Sequence, residues 1–274
     1  MARHFDNVNQ YLNGGDYYDA LSELCVVAHF KVADLTLGSS TDTDILTLVL
    51  KGSVSASSFS FYAWNINYDR RSSSDKLKFV VINNAQLGYS EAQIPSFSAK
   101  ISVDTWYVVV AAWDGTAQTL WVSTGDSASA GSPVADMARQ VAADEGFKIS
   151  GGGDSAGDKR VWDGDIAEVA IYTSGGFPSQ GEVDAWLSGV SPLLVRPSGL
   201  ASYWPLLGYA SPERDLMSPG RPLTLAHSPA VAAHPPVWYP RRAQIIVPQL
   251  AAAAGGRLIG GKLTRSNLFG RLAG

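Results

Sequence analysis

Apolar runs of four to nine residues, broken by Gly, Ser, Asn and Asp, recur along this chain to about residue 206. That rhythm constrains the fold more than any other feature. The runs are residues 5–12, 24–32, 45–50, 59–66, 77–82, 106–113, 119–123, 147–150, 166–172 and 200–206. They are rich in Val, Ile, Phe, Tyr and Trp, whose branched or flat side chains suit a pleated surface. Many such strands with turn residues between them predict an all-β sandwich. Asp114-Gly115 predicts a tight hairpin, because both residues tolerate a positive φ. One helix is predicted over 179–189: Ser179 and Glu182 have capping-box spacing and Gly189 suits a left-handed C-terminal position. Val183, Trp186 and Leu187 share the face that would dock it onto the sandwich. The Ala-rich stretch 134–144 is a short surface helix or a loop, and the Pro-rich segment 219–240 a closing strand and loop or an extended strap.

With 46% apolar and 17% charged residues, the 274-residue chain has the composition of a packed globular protein. Its length suits one large sandwich or two small domains. Eight Trp and eleven Tyr are many, and since most lie within the apolar runs, core filling is expected ahead of a sugar- or protein-binding face. Cys25 is the one cysteine, so no internal disulfide forms; Leu24-Cys25-Val26-Val27-Ala28 predicts a small buried thiol and not a nucleophile. No apolar h-region follows Met1 and no run of about 20 apolar residues occurs. Synthesis in a cytoplasm without a secretory signal, and no membrane partner, are therefore expected.

Charge is unevenly divided. Residues 1–240 contain all 25 acids against 15 Lys and Arg, a formal −10, while 241–274 contain five Arg, one Lys and no acid, a formal +6. Six glycines among residues 255–274 and the run before them make a self-standing fold there improbable on entropic grounds. Two parts are expected: a sandwich over 1–240 and an extended apolar-basic arm over 241–274. The arm interleaves Leu, Ile and Phe with its cations, which suits a protein surface better than nucleic acid. Its expected partner-binding residues are Arg257, Leu258, Ile259, Leu263, Arg265, Leu268, Phe269 and Arg271. Covering its own acidic body is the alternative role.

Several segments arrive in an order that resembles the laminin-G-like, concanavalin A-like family, a lectin and glucanase superfamily also found in tailed-bacteriophage structural proteins. Phe5-Asp6-Asn7-Val8-Asn9-Gln10-Tyr11-Leu12 resembles its opening strand. Trp106-Tyr107-Val108-Val109-Val110-Ala111-Ala112-Trp113-Asp114-Gly115-Thr116 and Leu120-Trp121-Val122 resemble its hairpin. Phe147-Lys148-Ile149-Ser150-Gly151-Gly152, then Trp162-Asp163-Gly164-Asp165-Ile166-Ala167-Glu168-Val169-Ala170-Ile171-Tyr172, resemble a later pair, and Leu200-Ala201-Ser202-Tyr203-Trp204-Pro205-Leu206 the closing strand. The resemblance covers about the first 206 residues. It implies a jelly-roll antiparallel β-sandwich with one short helix, to which the C-terminal arm is an addition.

The family's glycosidases carry E-x-D-x-x-E on one strand. Asp163-Gly164-Asp165-Ile166-Ala167-Glu168 has that spacing with a shorter first acid, and a bulge would bring 168 onto the face of 163 and 165. The same stretch also fits the family's non-catalytic strand, and no catalytic residue is expected. Asp154, Asp158, Asp163 and Asp165 are oxygen ligands to test for calcium, although no spacing matches a calcium loop. His4, His29, His227 and His234 lack metal spacing, and no G-x-S-x-G or phosphate-binding loop occurs. No cofactor is expected. The expectation is a non-catalytic virion structural protein of a tailed bacteriophage, a capsid decoration or tail-associated protein held to other virion proteins by the arm. A carbohydrate-binding lectin module for host attachment is the alternative, with a glycoside hydrolase behind it; a glycan and a second copy of the chain stay open as partners.

Overall fold

The computed structural model describes residues 2–6, 10–18, 21–38, 44–52, 62–82, 89–131, 146–151, 160–208, 210–217 and 220–236. These all fall in the first of two compact units, Met1–Trp238 and Tyr239–Gly274. The arm, with all eight of its expected partner-binding residues, lies outside the described residues, as does 134–144.

The strands are β1 (Ala2–Asp6), β2 (Tyr11–Gly15), β3 (Leu24–Val32), β4 (Ile45–Gly52), β5 (Tyr62–Asp69), β6 (Lys76–Ile82), β7 (Tyr89–Pro95) and β8 (Trp106–Trp113). There follow β9 (Ala117–Val122), β10 (Ser127–Gly131), β11 (Phe147–Ile149), β12 (Asp163–Tyr172), β13 (Leu200–Trp204), β14 (Thr224–Ala226) and β15 (Ala230–Ala232), with α1 (Gln180–Leu187) and α2 (Pro192–Val195) between β12 and β13. One sheet runs β10-β9-β8-β3-β12-β1-β15, with β13 added beside β12, and the other runs β14-β2-β11-β4-β5-β6-β7. All pairings between these strands are antiparallel. The expected jelly-roll sandwich is therefore the observed fold, with a second short helix, α2, that the sequence pattern did not mark.

Alternation explains how the sheets meet. Val26, Ala28 and Phe30 of β3, Val109 and Ala111 of β8, and Ile166, Val169 and Ile171 of β12 face Trp64, Ile66, Tyr68, Leu77 and Phe79 from the opposite sheet in one core. Phe147 of one sheet stacks on Trp204 of the other, ring centroids 5.1 Å apart and nearly parallel. Five of the seven described Trp are buried, which agrees with core filling. A second apolar layer lies outside the first sheet, where Val183 and Trp186 of α1 cover Val27, Val110, Ala170 and Tyr172. The helix starts and stops as its sequence dictates. Ser179 and Glu182 form the capping box. Gly189 adopts φ +85°, with Gly189 N donating to Trp186 O and Val190 N to Ala185 O.

The expected single strand over 5–12 is instead two. β1 joins one sheet and β2 the other, with the corner drawn together by Asp6 N donating to Gln10 Oε1 (3.2 Å) and Gln10 Nε2 to Asp6 Oδ2 (3.0 Å). Two strands, β7 and β10, were not expected. The Pro-rich segment gives a short edge strand to each sheet, β14 beside β2 and β15 beside β1, turning between them at His227 and Ser228 with φ near +55°.

Gly164 shows how tightly β12 meets β3. Its φ is +138°, and a Cβ there would lie 2.1 Å from the carbonyl oxygen of Lys31. Gly164→Ala is expected to cost at least about 2 kcal/mol in denaturant unfolding, because neither the backbone angle nor the approach distance admits a methyl group. An unchanged midpoint would mean that the two strands do not approach this closely.

Candidate functional site

The polar chemistry of the described chain concentrates on the outer face of β12. Asp165 lies opposite His4 of β1 on one side and Lys31 of β3 on the other. Side chains directly opposite in neighbouring antiparallel strands are within reach of each other. His4 Nδ1 accordingly donates to Asp165 Oδ1 at 2.7 Å, and Lys31 Nζ contacts Asp165 Oδ2 at 2.7 Å. Asp165 is only 5% exposed, while His4 is 41% exposed. The Lys31 ammonium also lies 3.6 Å from Asp104 and 5.7 Å from the centre of the Trp106 ring. The hydrogen bond with Asp165 holds its pKa above the ordinary lysine range. His4, Lys31, Asp104 and Asp165 line a cleft of about 330 Å³, completed by Ala33, Gly164 and the edge segment 230–233.

The bulge needed to bring residue 168 outward is present. Ala167 pairs with His29 and Ala170 with Val27, so three steps along β12 face two along β3. Glu168 absorbs the difference at φ +50°. Its carboxylate is fully buried, 3.6 Å from His234 Nε2. Asp163 opens β12, where Arg70 Nη1 reaches both its carboxylate (3.4 Å) and that of Asp34 (3.3 Å); burial raises the Asp163 pKa, opposed by Arg70. The motif's three carboxylates are thus brought to one strand but engaged separately: one by an arginine, one by a lysine and a histidine, and one in the interior.

These contacts do not fit a calcium shell. Asp163 and Asp165 already face protein cations, and Asp154 and Asp158 lie outside the described residues. Among the described residues, no group of three or more His, Cys, Asp or Glu side chains is placed to hold a metal. Cys25 is buried, and that burial pushes its thiol up to about 12, as expected of a structural cysteine. Sequence reasoning found Asp165 but missed His4, Lys31 and Asp104. The signal for the first two was a polar residue at the outward step of an apolar strand, in Arg3-His4-Phe5 and Phe30-Lys31-Val32.

No protein-family model matches the sequence, and no curated protein does. Solved structures do resemble it. A Bacteroides ovatus protein provisionally named as carbohydrate-binding aligns with a TM-score of 0.56 at 16% identity, over 84% of this chain and 61% of that one. The enzymatically active domain of tailspike protein 2 from bacteriophage CBA120 aligns at 0.49 and 12% identity, over 70% of this chain and 27% of that one. Domains LG4-5 of the mouse laminin alpha1 chain align at 0.42 and 16% identity, over 66% and 44%. This chain therefore spans about three-fifths of the first protein and less than half of the other two. At these identities the likeness is one of fold alone.

Beside the cleft, His29 is buried, and its Nε2 has no hydrogen-bond partner among the described residues. Burial, and secondarily the neighbouring His234, push its pKa down to about 4. An unfolded histidine titrates near 6.5, so the unfolded chain takes the proton first as pH falls. The stability that neutral His29 secures is complete above about pH 6.5 and is lost as pH drops toward 4, by on the order of 3 kcal/mol in all. Denaturant unfolding at about pH 7 and about pH 5 should register this loss. His29→Val should flatten the dependence; an equal slope in both proteins would assign it to other groups.

Proposed function

We propose that this chain is a non-catalytic virion structural protein of a tailed bacteriophage, a capsid decoration or tail-associated protein whose arm anchors an acidic sandwich to other virion proteins. The observation that carries this reading is the division of charge, −10 over residues 1–240 and +6 over 241–274. Six of the described cations, Arg3, Lys31, Arg70, Arg71, Lys78 and Lys100, already pair with acids of the sandwich, in keeping with its surplus of carboxylates. A basic, apolar arm suits a groove or a strand edge on a neighbouring protein. Absence of catalysis is supported by the engagement of Asp163 by Arg70, of Asp165 by His4 and Lys31, and by the full burial of Glu168, since glycoside hydrolysis needs two carboxyl groups that reach the substrate.

Truncation after Pro240 tests the anchoring directly. Particles assembled with the full chain should retain it on sedimentation, and those assembled with the truncated chain should lose it. Particles that stay fully decorated by the truncated protein would overturn the proposal.

A second reading, glycan recognition in host attachment, is favoured by the polar cleft beside β12. Under this reading the protein labels a subset of a glycan array without releasing reducing sugar from a broad polysaccharide panel. An array blank with calcium and with chelator would remove the glycan reading, and sugar release would replace both readings with a hydrolase.

A further inference from the structure

The cleft over β12 presents both signs of charge within a few ångströms. At its floor Asp165 accepts from His4 and Lys31, each at 2.7 Å. The Trp106 ring beneath Lys31 holds the ammonium in place. Asp104, 76% exposed, stands 3.6 Å from the same ammonium. His4 Nε2 has no hydrogen bond from the described residues, and the largely exposed Asp104 carboxylate is engaged by Lys31 alone among them, so an ammonium, a carboxylate and an imidazole face the cleft together. On the edge-strand side the lining is apolar, formed by residues 230–233, of which Ala230 and Ala232 share the sheet face of His4.

This mixture selects among ligand classes. An inorganic anion would meet Asp104 and Asp165, and a metal cation would have to displace Lys31 and His4 from Asp165. A hydroxyl group suits both signs at once, since it donates to a carboxylate while accepting from an ammonium. Charged partners make those bonds roughly twice as strong as neutral ones. A pyranose also has C–H patches to set against Ala230 and Ala232. The volume, about 330 Å³, lies at the lower end for small-molecule sites.

We propose that this cleft binds one neutral sugar residue, with Asp104 and Lys31 gripping adjacent hydroxyls, His4 hydrogen-bonding a third and the 230–233 edge receiving the apolar ring face. This rests on the glycan-recognition reading and assigns it a place on the outer face of the eight-stranded sheet. Asp104 is at the surface, so Asp104→Ala tests the cleft without disturbing the core.

Free glucose, galactose, mannose and N-acetylglucosamine are titrated separately while the Trp106 indole N–H and His4 ring signals are followed by NMR. At least one sugar should shift both signals to saturation, and Asp104→Ala should weaken that binding about tenfold, as loss of a charge-assisted hydrogen bond does. If none of the four sugars moves these signals, or inorganic phosphate or calcium moves them at lower concentration, the cleft is not a sugar site. Array binding undiminished in Asp104→Ala would overturn the cleft and leave glycan recognition standing elsewhere. A blank array for both proteins would overturn the two together.

Discussion

The sandwich depends on one strand being bonded along both edges and buried on both faces. β12 pairs with β3 along most of its length, with β1 along its first half and with β13 along its second. Beyond Asp163 every residue in it is buried. Inward, Ile166, Val169 and Ile171 enter the main core, each stabilising by roughly 1.5–3 kcal/mol relative to exposure. Outward, Ala170 and Tyr172 support the layer under α1. Without it β13 would lose its partner and β1 would keep only the three-residue β15. The bulge at Glu168 lets such a strand serve two purposes. Shifting the alternation by one residue keeps Ile166 and Val169 on the same inner face and turns a carboxylate out of the ladder.

Some of this was legible in the chain. β3, β6 and β8 were placed to within a residue because their runs are long, apolar and β-branched. β7 and β10 escaped notice because, Ile94 apart, their inward positions are Ser90, Ala92, Ala128 and Ala130, too small to stand out from loop composition. The break between β1 and β2 was hidden for the opposite reason: Phe5 and Leu12 are both core residues, so the stretch reads as one strand, while its halves serve different sheets. The cleft was least visible. His4, Lys31 and Asp165 are far apart along the chain and meet only through register across three strands, which no local spacing encodes.

Electrostatics inside the sandwich follow one rule: where a charge is buried, its partner is close. Burial alone would raise the Asp69 carboxyl, yet hydrogen bonds from Arg71 and Lys78 hold it well below its usual range. Arg3 and Glu213, 5% and 3% exposed, meet at 2.6 Å, and Arg3 also donates to the carbonyls of Ala210 and Pro229. Breaking such a pair from one side leaves an uncompensated charge, which is far more costly than never having the pair. His29 behaves differently, a buried ring that stays neutral instead of acquiring a counter-ion among the described residues.

The Arg3–Glu213 contact also bears on how the protein comes to exist. During synthesis residue 3 leaves the ribosome long before residue 213, and β1 before both of its neighbours, β12 and β15. Until β12 and Glu213 have emerged, the nascent chain carries Phe5 and the guanidinium of Arg3 with no native place to put them. Closing so wide a loop is slow, because its entropy is lost before any contact repays it. β1 thus waits for strands made well after it, and translation speed sets how long its edge is left open to strangers.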